Sequence, residues 1–189
     1  MDQNDVISLF SINRLDGEPV PDDLRILLPH RDDLAGRCGV HLALEDDWSP
    51  WIDTTGLAEA VRSDPDAVAD LRARSEVARF CAFVADDRAG QYLGYWRGPT
   101  LRKVAGSPVV VLDEAGQFHL CAAQTFAEAV LERAYGREEF PDLRDWFRSI
   151  GIPVGWENPG QLTLPHEKLP PKDLHRQLFE RYRRSLLSQ

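Results

Sequence analysis

The feature that most constrains this chain is a block over residues 79–122 in which four strand-like runs follow one another with no helical pattern between them. "RFCAFVA" is a short apolar run of the kind a buried strand shows, and "GQYLGYWR" follows it after the turn letters "DDRAG". A longer connection, "GPTLRKVAGS", leads to the β-branched run "PVVVL". "DEAG" then turns the chain into "QFHLCAA", where Phe118, Leu120 and Ala122 alternate with His119 and Cys121. Parallel neighbours need a crossover of a dozen residues or more, usually a helix, so these connections make an antiparallel meander.

Inside the block, "DDRAGQYLGYWRG" sets Gly90, Gly94 and Gly98 four apart with Tyr92, Tyr95 and Trp96 between them. A phosphate loop needs Lys and Ser or Thr after its last glycine, and Pro99 stands there instead. A dinucleotide fingerprint opens a helix, whereas these glycines lie in a strand pattern. Gln91 and Arg97 exclude a membrane helix over so short a run. On a strand, Gly90, Tyr92, Gly94, Trp96 and Gly98 share one face. The expectation is a sheet strand whose glycine-bearing face is covered by a helix, a loop or a partner.

The flanks read as helices and loops. "VPDDLRILL" is a short helix with Pro21 in its first turn and Asp22 and Asp23 at its positive end. "GVHLAL" alternates as a half-buried strand, and "EDDWSPWIDTTG" after it is a loop. "SDPDAVADLRARS" starts a helix with Asp64 as cap and Pro65 in the first turn. Thr125 and Glu128 form a capping box for "TFAEAVLERA". "PDLRDWFRSIG" ends at Gly151, and "PKDLHRQLFERYRRSLL" carries Leu174, Leu178, Tyr182 and Leu186 at four-residue spacing. A strand block followed by a helix block predicts an α+β fold: an antiparallel meander of about four to six strands with helices packed on one face. Residues 1–189 form a single domain, with 151–189 as a helical extension.

Catalytic constellations are hard to assemble from these letters. His119 and Cys121 share a strand face, but residues two apart on a strand rarely reach hydrogen-bond geometry and no orienting group is implied. His30, His41, His166 and His175 lack metal-ligand spacing. The acidic pairs Asp86–Asp87 and Asp113–Glu114 fall in turns, where Asp bonds its own backbone. No G-x-S-x-G elbow is present. The expectation is a protein without catalytic residues, metal or cofactor.

Charge points to a surface instead. The net charge is -9, and residues 1–50 hold eleven acids against four bases. An acidic surface repels phosphate backbones, so nucleic acid is not the expected partner, and a basic protein is. "EDDWSPW" joins Glu45, Asp46 and Asp47 to Trp48 and Trp51. Tryptophan is enriched at interface centres, although either ring can equally fill the domain's own core. These five residues, with Asp86, Asp87 and Trp96, are the candidate partner contacts. Three widely spaced cysteines, no long apolar run and an acidic first stretch point to the cytoplasm, away from membranes.

Residues 79–150 resemble the SUKH superfamily, which includes a yeast cell-wall-synthesis regulator and many bacterial toxin-immunity proteins. "VADDRAGQYLGYW" is similar to its acidic turn, glycine and aromatic strand, "SPVVVLDEAG" to its Pro-Val-Val strand, and "AAQTFAEAVLERA" to the step into its Ser/Thr-Phe-x-Glu helix. "VPDDLRILL" corresponds to the Leu-Pro-x-Asp helix, with Val20 in place of the leucine and without the glycine pair usual after it. The resemblance implies an α+β fold and a binding protein, either a bacterial immunity protein that neutralises a toxin, such as a basic nuclease, or a regulatory or scaffolding module for a housekeeping partner. The family shares no catalytic or contact residues that carry over to this chain.

Overall fold

The computed structural model describes residues 2–49 and 64–188. Its centre is a five-stranded antiparallel sheet, β1 (Val40–Leu42), β2 (Cys81–Asp87), β3 (Tyr92–Trp96), β4 (Val109–Leu112) and β5 (Phe118–Leu120), with neighbours in space in chain order. The meander expected from the strand block is therefore present, and "GVHLAL" adds the fifth strand by pairing Val40 with Asp87 and Leu42 with Ala85. Among the described residues the α-helices are α1 (Gln3–Leu15), α2 (Asp22–Leu27), α3 (Arg31–Cys38), α4 (Pro65–Ala78), α5 (Phe126–Ala134), α6 (Phe140–Ser149) and α7 (Pro171–Leu187).

Helices cover both faces of the sheet, not one as the block order predicts. On the first face Leu93, Tyr95, Val109 and Val111 meet Phe10, Leu24, Phe126, Val130 and Phe147 from α1, α2, α5 and α6. On the second, Phe83, Trp96, Val110 and Phe118 meet Ala73 and Val77 of α4 and Leu174 and Leu178 of α7. The C-terminal helical segment is thus half of the second face's cover. It is fastened to α4 by Arg183–Asp66 at 2.7 Å, Arg181–Glu76 at 2.8 Å and His175–Asp70 at 3.2 Å. The reason lies in the strands. Val109 to Leu112 are all buried, and a run apolar on both sides needs two covers.

Two hairpin turns share one sequence, Asp-x-Ala-Gly-Gln, at 87–91 and 113–117. In each, the Asp amide donates to the Gln carbonyl at 3.0 Å. The Gln amide returns a bond to Asp Oδ1, at 3.0 Å for Gln91 and 2.8 Å for Gln117. Gly90 and Gly116 hold φ of 76° and 78°, a left-handed conformation open to glycine at little cost. The Asp-to-backbone bonding expected of the acidic pairs closes the turns through Asp87 and Asp113, whereas Asp86 lies within β2 and takes no part in a turn.

Between the turns and the core, β2 carries a bulge. Phe83 lies opposite Gly94 and Ala85 opposite Leu93, leaving Val84 as the extra residue. Val84 and Ala85 consequently both join the first-face core. A Cβ on Gly94 would stand 2.3 Å from the Ala82 carbonyl oxygen and 2.6 Å from the Phe83 Cα, so only glycine admits this approach. That answers the four-residue glycine spacing. Gly94 meets the neighbouring strand, while Gly90 and Gly98 lie outside β3 with positive φ. Tyr92 and Trp96 share the second face, covered by α4 and α7 as a covered face was expected to be.

Candidate functional site

The acidic surface is assembled from β1, the segment 43–48 after it, and the end of β2. Its anchor is Arg14, in the last turn of α1 and only 8% exposed. Val6, Phe10 and Arg14 recur every four residues, so the guanidinium sits at the end of an otherwise core-facing stripe. It donates to three backbone carbonyls, Glu45 at 2.5 Å, Asp46 at 2.9 Å and Trp48 at 2.7 Å. The same group lies 5.4 Å from the centre of the Trp48 ring. Burial lowers the guanidinium pKa, opposed by the negative charges of Glu45, Asp46 and Asp47.

This arrangement has an electrostatic result. Arg14 ties down the loop through its main chain, so the side chains of Glu45, Asp46 and Asp47 stay exposed, and among the described residues none forms an ion pair. Glu45 Oε2 accepts from the Leu44 amide at 3.1 Å. Trp48 is half-buried, edge-on to Tyr92 with ring centres 5.8 Å apart. Asp86 faces the same side: burial pushes its carboxyl above the ordinary aspartate range, against the charge of His41 and a hydrogen bond from the Trp48 side chain. His41, Glu45, Trp48, Asp86 and Tyr92 line an open cleft of about 540 Å³.

Two of the expected contacts belong elsewhere. Trp96 is fully buried and edge-on to Phe80 at 6.4 Å. It is a core residue, because β3 is the central strand and α4 and α7 close over its second face. Asp87 lines the same cleft, but its carboxylate is spent on other partners. Because of the bulge it points to the first face, where its carboxylate accepts the Ala89 and Gln91 amides and an ion pair from Arg133 of α5. Trp51 lies outside the described residues. The surface therefore keeps Glu45, Asp46, Asp47, Trp48 and Asp86. Arg14, which no local motif flags, is the organising residue that sequence reading misses.

The His119–Cys121 pairing does not assemble. His119 Nε2 stands 2.8 Å from Asp113 Oδ2, and the buried Cys121 thiol is pushed up to about 12 by its apolar surroundings. A thiol so placed stays protonated and is a poor nucleophile. Among the described residues no group of His, Cys, Asp and Glu could hold a metal ion. No described helix is long and apolar enough to cross a membrane. In comparison with known proteins, the chain matches no family, no curated protein and no solved structure.

Proposed function

We propose that this chain is a non-enzymatic protein-binding domain, an immunity-type protein that neutralises a basic protein toxin in the cytoplasm by docking through residues 45–48 and Asp86. The observation that carries the reading is how Arg14 is used. A buried cation beside three acids normally neutralises one of them, yet here it bonds the main chain of Glu45, Asp46 and Trp48 and none of the carboxylates. The loop is fixed while its carboxylates remain unpaired toward solvent, with a half-buried tryptophan among them. Fixed negative charge around an aromatic anchor suits a basic partner, whose encounter it steers and whose wrong rivals it rejects. The resemblance of residues 79–150 to the SUKH superfamily supports the toxin-neutralising form of this reading.

The test is co-expression with the protein encoded beside this gene, followed by binding measurements on the purified pair. The triple variant Glu45→Gln, Asp46→Asn, Asp47→Asn is expected to slow association about tenfold or more at low salt, with less effect at high salt. Trp48→Ala is expected to speed dissociation. Lack of both co-purification and rescue rejects the toxin-neutralising reading. A complex that forms with the triple variant at the wild-type rate places the interface on another face.

A further inference from the structure

On the opposite side of the same hairpin the charge reverses. A cavity of about 280 Å³ lies between α3, the 87–91 turn, α5 and the start of α6, and four arginines line it: Arg37, Arg88, Arg133 and Arg137. Asp87 and Glu139 are the carboxylates of the lining, so the wall is two charges positive in a protein of net charge -9. Such a concentration is unusual on a surface where most arginines have an acid beside them.

The site is built, not merely crowded. Arg133 is held by its ion pair with Asp87, itself fixed by the turn amides. Its second terminal nitrogen, Nη1, is buried, has no hydrogen-bond partner and is free to donate to a ligand in the cavity that Arg133 lines. Arg88 donates to the Ala35 carbonyl at 3.2 Å, and its stem lies where a Cβ on Gly39 would stand, 2.9 Å from that position. Glycine at 39, with φ of 70°, thus lets the arginine lie flat against the backbone. Arg37 stacks on Trp146 at 5.1 Å, which orients it without neutralising it. Among the described residues Arg37, Arg88 and Arg137 form no ion pair.

We infer that this cavity binds a phosphoryl group, free or as a small phosphate monoester. Guanidinium forks match the oxygens of phosphate in pairs. Donors arriving from α3, a hairpin turn, α5 and the loop after it surround more oxygens than the two of a carboxylate. The net charge of the wall matches the charge of about -1.5 to -2 that a phosphoryl group carries at neutral pH. The volume lies at the small end of ligand pockets, which fits a headgroup with little attached. The two cavities open on opposite sides of the hairpin and share Asp87 and Arg88 at its turn, so Arg137→Gln is the variant that touches this cavity alone.

The experiment is calorimetric titration of the intact protein with inorganic phosphate, glycerol phosphate and acetate at constant ionic strength. Saturable binding of one or both phosphates is expected, with acetate at least about tenfold weaker. The phosphate that binds more tightly identifies the free or the esterified form. Arg88→Gln and Arg137→Gln, both at exposed positions, are each expected to weaken binding about tenfold while leaving the melting temperature in the absence of phosphate unchanged. Absence of saturable phosphate binding, acetate binding as tight as phosphate, or unchanged binding in both variants overturns the assignment.

Discussion

The two Asp-x-Ala-Gly-Gln turns have the same backbone, the same amide bonds and the same glycine conformation, yet they differ in what their aspartate holds. Asp87 reaches a guanidinium, Arg133, with both partners largely buried. Asp113 reaches the exposed imidazole of His119 at 2.8 Å. One turn is therefore tied to a guanidinium in α5, and the other to an imidazole in the adjoining strand. A local motif sets the shape of a turn, and the residue that lies across from it sets its mechanical role.

Mutation can break this comparison in graded steps. Asp87→Ala removes the turn bonds and also strands the partly buried Arg133, so it should cost about 3 kcal/mol in denaturant unfolding. A loss no larger than that of Asp113→Ala would erase the distinction between the turns. The glycines come next. Gly116→Ala places a methyl 2.6 Å from the Arg74 guanidinium as well as in a left-handed conformation, and about 1.5 kcal/mol is expected. Gly90→Ala has open space around it and should lose only about 1 kcal/mol.

The smallest effect is a pH dependence. Partial burial raises the Asp113 carboxyl, but the Gln117 amide and His119 outweigh it and hold the carboxyl below its ordinary value. A lowered folded-state value means stability that is present above the unfolded pKa of about 3.9 and lost as pH falls through the folded one. Asp113→Ala should therefore trail the wild type by about 1 kcal/mol at neutral pH, and the gap should close on acidification below about pH 4. Melting curves at neutral and acid pH check it, and a gap that widens in acid contradicts the sign.

The local parts of this fold were legible, and the distant ones were not. The meander, the Thr125–Glu128 capping box, with its Glu128 amide bond at 3.2 Å, and the Asp-bonded turns all follow from residues within a few positions of one another. Helix α1 escapes because its buried stripe ends on Arg14, which reads as a polar face. Helix α3 escapes because Leu34 is its only fully buried side chain. The second helical layer depends on α4 and α7 meeting from about a hundred residues apart, and no pattern within either announces the other. The site divides the same way. Its exposed acids and Trp48 were visible, whereas Arg14 acts from over thirty residues upstream. Trp96 was misplaced because alternation gives the face of a strand, not what covers that face.

The bulge at Val84 has a further consequence. Asp86 and Asp87 are neighbours in the chain, yet one joins the acidic cleft and the other closes the arginine-lined cavity across the sheet. Strand phase thus assigns each carboxylate its destination, and one surplus residue fixes that phase. Deleting Val84 would return the ladder to regular pairing and leave Asp86 opposite Tyr92, with both aspartates on their own sides. Were Val84 instead paired with Leu93 as in a ladder without a bulge, every later residue of β2 would turn to the other face.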